Sequence, residues 1–314
     1  MEGEDEPRMM ASPVNTSPQI QDVTGTAKNF LDDIILNIEQ EGVYKKMGVE
    51  PNKTYGLFGV PGTGKTLAVQ ALNNHMNADA YAKYLISDEK DMTAADHDLC
   101  TFEYSIGRFG SAYINKGSMI LQKFFDTAGI MASYGKKVLV VMDECDAILG
   151  DRNANLQSHA EDRKVLETIM KNVQLLHDTP NMYLVMMSNM PEACDGAAVR
   201  AGRIDKKYRF ELPTDKERHK AYQMAISDAN KKAKYKVVRA ENIDDIVDLS
   251  KGFSYADIMQ SVYSSVRQRA TEVASSKSKG TMPAAYVSHK KLLTGVKSHA
   301  ESFVKKKENT RIGF

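Results

Sequence analysis

Cysteine is scarce. Cys100, Cys145 and Cys194 are the only three in 314 residues. Their spacing matches no metal-ligand pattern and an odd number cannot all pair, which points to a reducing compartment rather than a disulfide-stapled secreted fold. Long apolar runs are also missing. No stretch of eighteen exists, so no membrane-spanning helix is expected. Residues 1–19 are acidic and dotted with proline and serine, the reverse of a secretory signal. They read as a disordered tail, and the expected location is cytoplasmic. Net charge is nearly absent: +1, with 26% charged residues, which favours neither a nucleic-acid binder nor an acidic scaffold. That neutrality hides a split. Residues 1–213 hold 22 basic and 30 acidic side chains, a net of −8, whereas residues 214–314 hold 20 and 11, a net of +9.

What the chain does have is one loop of specific chemistry. Gly59-Val60-Pro61-Gly62-Thr63-Gly64-Lys65-Thr66 matches GxxxxGK[ST] in full. Apolar Tyr55-Gly56-Leu57-Phe58-Gly59 ahead of it predicts a strand, and Leu67-Ala68-Val69-Gln70-Ala71-Leu72 behind it has helix periodicity, which is the context the motif requires. Glycines let the backbone curl so that its N–H groups converge on phosphate oxygens, and the helix starting near Lys65 adds the positive end of its dipole. Lys65 supplies an ammonium for the β- and γ-phosphates; the Thr66 hydroxyl can hold Mg²⁺.

Further on, Val138-Leu139-Val140-Val141-Met142 is a continuous apolar run of strand length, as in a parallel strand buried on both faces. It delivers Asp143 and Glu144 to its carboxyl end, where ligands sit in open α/β sheets. Asp143 can join the Mg²⁺ shell and Glu144 can polarise the attacking water. Leu99–Tyr104 and Met182–Met187 read as two more strands, the latter ending in Ser188-Asn189. Helical stripes run through Phe30, Leu31, Ile34, Ile35 and Ile38; through Ile120, Leu121, Phe124, Phe125 and Ala128; and through Val165, Leu166, Ile169, Met170, Val173 and Leu176. Beyond Pro213-Thr214 the pattern is helical throughout, over 217–231, 243–249, 255–274 and 288–303.

Asp22-Val23-Thr24-Gly25, then Val43 to Pro51, then the phosphate loop, then Asp195-Gly196-Ala197-Ala198-Val199-Arg200-Ala201-Gly202-Arg203-Ile204-Asp205 together resemble the AAA family of ATPases, as in proteasomal ATPases, katanins and membrane-fusion ATPases. The resemblance covers residues 20–303. It implies an α/β fold, a P-loop doubly wound parallel sheet over 20–213 followed by a small helical lid over 214–303, with residues 304–314 as a tail. Residues 78–98 form a polar insertion absent from the family pattern. ATP and Mg²⁺ are the implied cofactors, with Pro61, Gly62, Thr63 and Leu67 joining the phosphate site. Asp22 and Gly25 correspond to the segment against adenine, although Thr24 replaces the family's first glycine. Asn189 matches the sensor asparagine, whose amide donates to the γ-phosphate and accepts from water.

Arg200 and Arg203 match the arginines that reach a neighbouring subunit's nucleotide, so a homo-oligomeric ring, six-fold by resemblance, completes each site. Tyr113 and Ile114 match the pore-loop residues that grip an extended polypeptide, with Asn115 in place of glycine; Arg108-Phe109-Gly110 is a rival register. His159 falls where the family has a second pore loop. Gly252-Phe253-Ser254-Tyr255-Ala256-Asp257 resembles the helix start near adenine and ribose, with Tyr255 replacing a glycine; Ser254 also reads simply as an N-cap. The implied function is protein unfolding or remodelling, with an adaptor or protease as further partners. A nucleic-acid motor or loader and a nucleotide-dependent scaffold remain as alternatives.

Overall fold

The computed structural model describes residues 8–9, 18–78, 80, 98–105, 117–146, 160–191, 204–277 and 285–311. Contacts divide them into two units, one drawn from 1–60 and 64–211, the other from 61–63 and 212–314.

The first unit is built on six strands: β1 (Arg8–Met9), β2 (Thr54–Phe58), β3 (Leu99–Ser105), β4 (Lys137–Asp143), β5 (Met182–Ser188) and β6 (Lys206–Arg209). They lie in the order β1-β3-β4-β5-β2-β6, and every pairing is parallel except that of β1 with β3. The apolar runs explain the central position of β4 and β5, because a parallel strand covered on both faces has no polar side to offer water. Alternation then divides their side chains. Val138, Val140 and Met142 of β4, with Met182, Leu184 and Met186 of β5, enter one core with Leu121, Phe124 and Phe125 of helix α4 (Gly117–Ser133) and Ile169 and Val173 of α5 (Ala160–Asp178). Leu139, Val141, Tyr183 and Val185 enter the other core, with Phe30, Leu31 and Ile34 of α1 (Thr26–Glu39) and Val69 and Leu72 of α3 (Lys65–Met76).

Three elements carry no periodic signal. Helix α2 (Glu41–Lys46) lies between the first helical stripe and β2, and β6 is a polar run, Lys206-Lys207-Tyr208-Arg209, held at the sheet edge by parallel pairing with Tyr55 to Phe58. The third is β1, where Arg8 and Met9 of the 1–19 stretch pair with Glu103 and Phe102. At the opposite end of the strands, buried Lys53 donates to the carbonyls of His177 (3.0 Å) and Thr179 (2.9 Å), capping the last turn of α5.

The second unit contains α6 (Asp215–Ala233), α7 (Asp244–Leu249), α8 (Tyr255–Lys277) and α9 (His289–Arg311), with one two-residue parallel pairing, β7 (Val238–Arg239) and β8 (Val287–Ser288), that the helical periodicity does not foretell. Thr214 and Glu217 form a capping box at the start of α6: the Glu217 carboxylate accepts from the Thr214 N–H at 2.9 Å. The core gathers Tyr222, Ala225, Ile246, Phe253, Ile258, Val262, Leu292 and Val296. Among the described residues no helix is long and apolar enough to cross a membrane.

Candidate nucleotide site

Strand β2 hands the chain to the phosphate loop through Gly59. A Cβ there would lie 2.1 Å from the Phe210 carbonyl oxygen, so only glycine lets the loop leave the sheet so close to the neighbouring strand. Gly64, at φ 98°, turns the backbone into α3. A Cβ on Gly64 would meet nothing within 4 Å, so that side of the loop is open. Lys65, Thr66 and Leu67 open the helix, where N–H groups have no intrahelical acceptor and the dipole favours an anion.

Lys65 is buried at 6% exposure, and its ammonium donates to the carbonyls of Gly59 (2.6 Å) and Val60 (3.2 Å). Burial pushes its pKa down, and the charges of Asp143 and Asp146 pull it back up. The ammonium therefore lies within electrostatic reach of the end of β4. A cation resting on neutral carbonyls, beside an open loop of helix-terminal donors, fits a phosphate chain.

Beyond Asp143 the chain turns sharply. Glu144 has φ 56°, a left-handed conformation uncommon for a non-glycine residue. Its N–H donates to Asp143 Oδ1 at 2.7 Å, and its Oε2 accepts from Ser105 Oγ at 2.6 Å. Burial raises the Asp143 pKa and the carboxylates of Glu144 and Asp146 raise it further, against the opposing pull of the Glu144 N–H and Lys65. Acidic groups thus crowd the carboxyl edge of the sheet. After the turn, the Cys145 N–H reaches the Met187 carbonyl at 2.9 Å. Asp146 Oδ1 accepts from Ser188 Oγ at 2.5 Å and from the Asn189 N–H at 2.7 Å. Lys65, Asp143, Glu144 and Asn189, drawn from three separate strand ends, therefore converge on one edge.

Several other expected site residues do local structural work. The Asp22 carboxylate accepts from the Gln19 N–H at 2.8 Å and closes a single 3-10 turn, and Gly25 is the N-cap of α1. Ser254 caps α8, with its hydroxyl accepting from the Asp257 N–H at 3.2 Å and the Asp257 carboxylate accepting from the Ser254 N–H at 2.9 Å. Within the second unit the Gly62 carbonyl accepts from the Ala256 N–H at 3.2 Å, and a Cβ on Gly62 would lie 2.6 Å from Ser254 Oγ. Gly252 and Tyr255 flank this cap; Pro61 and Thr63 complete the loop segment that groups with it. Tyr113, Ile114, His159, Arg200 and Arg203 lie outside the described residues.

Reasoning from sequence missed Ser105, Asp146 and Ser188. Asp146 had a usable signal, a third carboxylate three residues past Asp143. The serines had only their place at the carboxyl ends of β3 and β5.

Residues 55–212 match the model of the ATPase family associated with various cellular activities (AAA), half of the chain. The chain is 24% identical over 265 residues to a 26S proteasome regulatory subunit 4 homolog of Encephalitozoon cuniculi, covering 82% of this chain and 55% of that one. It is 24% identical over 239 residues to the 26S proteasome subunit RPT4 of Saccharomyces cerevisiae, covering 75% and 47%. It is also 27% identical over 201 residues to an AAA ATPase forming ring-shaped complexes from Corynebacterium kroppenstedtii, covering 63% and 32%. The chain thus spans about half the length of the two proteasomal relatives. A phosphate loop at the mouth of β2, paired acids ending β4 and an asparagine ending β5 accompany the family match, which shows that this chain belongs to the AAA family.

Proposed function

We propose that the protein is a ring-forming, ATP-driven protein unfoldase. The observation that carries this reading is the convergence of Lys65, Asp143, Glu144 and Asn189 at one sheet edge, in a chain whose relatives include proteasomal and ring-forming ATPases. Exposed Thr66 and half-buried Asp143 are the hard oxygen donors that would hold Mg²⁺. Bound Mg²⁺ and ATP would supply a labile phosphoanhydride and neutralisation of its oxygens. Lys65 and the loop N–H groups orient the phosphates. The Glu144 carboxylate, steadied by Ser105, aligns the attacking water and takes up its proton, while the Asn189 amide fixes that water against the γ-phosphate.

Arg200 and Arg203 of a neighbouring copy stabilise the charge that develops on the transferred group, which makes assembly part of catalysis. The acidic 1–213 and basic 214–314 segments support steering of one copy onto the next. Tyr113 and Ile114, with His159 on a second loop, grip an extended polypeptide through apolar contact that tolerates any sequence. An adaptor or protease would supply selectivity or dispose of the product.

The test is ATP hydrolysis against protein concentration for the wild type, Glu144→Gln and Arg203→Ala, with sedimentation of the same samples. Specific activity should rise with concentration and vanish in both variants, while Glu144→Gln still assembles with ATP. Activity independent of concentration that survives Arg203→Ala would remove the shared site. Stimulation by unfolded protein is the expected second result; stimulation by single-stranded nucleic acid instead would replace the unfoldase with a nucleic-acid motor.

A further inference from the structure

The ladder between β4 and β5 ends at Met142 and Met186. Past that point the two strand ends remain joined, although by a different means. The left-handed turn at Glu144 swings the chain back toward β5, where Cys145 bonds the Met187 carbonyl and Asp146 arrives beside Ser188 and Asn189. One carboxylate oxygen then accepts both the Ser188 hydroxyl and the Asn189 N–H. Ser188 is itself engaged, since its Oγ accepts the Met190 N–H at 3.1 Å. The backbone on both sides of Asn189 is thereby tied to a residue two positions from Glu144. A charged acceptor makes these bonds shorter and stronger than neutral ones.

We propose that Asp146 is a positioning residue for hydrolysis, setting Asn189 against the γ-phosphate by holding its backbone to the Asp143-Glu144 segment. This rests on the reading of Asn189 as the γ-phosphate contact and extends it to the group that fixes it. Asp146 touches neither nucleotide nor water in this role. Its effect is on turnover, because an amide displaced by a fraction of an ångström still leaves the phosphate loop intact but spoils alignment of the attacking water.

The experiment compares steady-state ATP hydrolysis, ADP affinity and thermal stability for Asp146→Ala, Asp146→Asn, Asn189→Ala and the double variant Asp146→Ala/Asn189→Ala. Asp146→Ala should lower kcat by roughly 10- to 100-fold, the range expected for misalignment, with KM and ADP affinity near wild type. Asp146→Asn keeps an oxygen able to accept both bonds and should restore most of the turnover. The double variant should be no slower than Asn189→Ala alone, because the two residues act as one unit. Multiplying effects in the double variant would overturn the proposal, as would Asp146→Asn being as slow as Asp146→Ala. If Asp146→Ala fails to fold, Ser188→Ala, which removes one of the two donors, takes its place in the same cycle with Asn189→Ala. If Asn189→Ala leaves kcat unchanged, the γ-phosphate reading itself falls and the role of Asp146 falls with it. Losses that multiply on top of an effective Asn189→Ala remove only Asp146.

Discussion

Gly59→Ala is the most severe small change available to the phosphate loop. The added Cβ would sit 2.1 Å from the Phe210 carbonyl oxygen, 2.8 Å from the Phe210 Cβ and 2.9 Å from its carbonyl carbon. Two of these are backbone atoms, so no side-chain rotamer relieves the overlap. Reaching an ordinary 3.4 Å contact from 2.1 Å requires Phe210 or the loop to move by 1.3 Å. Phe210 is poorly placed to move: its N–H donates to the Phe58 carbonyl at 2.6 Å, and its ring is buried with Leu57 and Phe30. Losing that bond costs about 1 kcal/mol, and overpacking adds about 1–3 kcal/mol. The sum, about 2–4 kcal/mol, is a large part of the roughly 5–15 kcal/mol that holds a domain folded. At about 2–4 °C per kcal/mol for a domain of this size, the unfolding temperature of the first unit should fall by roughly 4–16 °C in scanning calorimetry. Gly64→Ala is the internal control. It meets no atom within 4 Å and pays only for its left-handed backbone, about 1–2 kcal/mol. Melting of Gly59→Ala within about 1 °C of wild type, or above Gly64→Ala, would refute the close approach of loop and β6 segment.

Lys65→Ala should abolish measurable binding of a fluorescent ATP analogue while leaving the protein folded, because the ammonium's bonds go to two neutral loop carbonyls; retained affinity would contradict its role at the phosphates. Lys53→Met removes the only side-chain cap that the described residues give the His177 and Thr179 carbonyls and should lower stability by about 2–4 kcal/mol, read as a lower urea midpoint with the slope unchanged. Burial would raise the Glu41 pKa, but bonds from Lys45 and from the Tyr183 hydroxyl outweigh it and hold the carboxyl below 4.5. A lowered folded-state value means stabilisation that is present above the unfolded value and lost as pH falls through the folded one. The stability gap between wild type and Glu41→Gln should therefore be widest near neutrality and close progressively below pH 4.5; a gap independent of pH would exclude the charged pair as its source.

The parts legible in the sequence are those whose cause is local. The phosphate loop is contiguous, so its residue types, its turn and its helix start all appear in eight letters. The same holds for β4 and β5, whose apolar runs announce burial on two faces, and for α1, α4 and α5, whose stripes match the surfaces they cover. The polar β6 is a strand only because Tyr55 to Phe58 present an unpaired edge to it, and Arg8-Met9 is a strand only because β3 ends the sheet. Neither partner is near in sequence, and period alone cannot find them. Ser254 stands between these cases: its capping pattern is local and readable, and the structure shows that bond directly.

The site divides along the same line. The chemistry of Asp143, Glu144 and Asn189 follows from residue type at a strand end, but their mutual placement depends on the register of β5 against β4. That register pairs Met142 with Met186 and is fixed by which apolar residues face which core. A slip of one residue would turn every inward side chain of β5 to the opposite face. Asp146 would then meet a different residue pair, and the bonds to Ser188 and Asn189 could not both form. The alternation of methionine, leucine and valine in the two strands therefore does more than fill the interior. By setting the register, it decides which residue stands opposite the acids at the edge, and so links core packing to the geometry of hydrolysis.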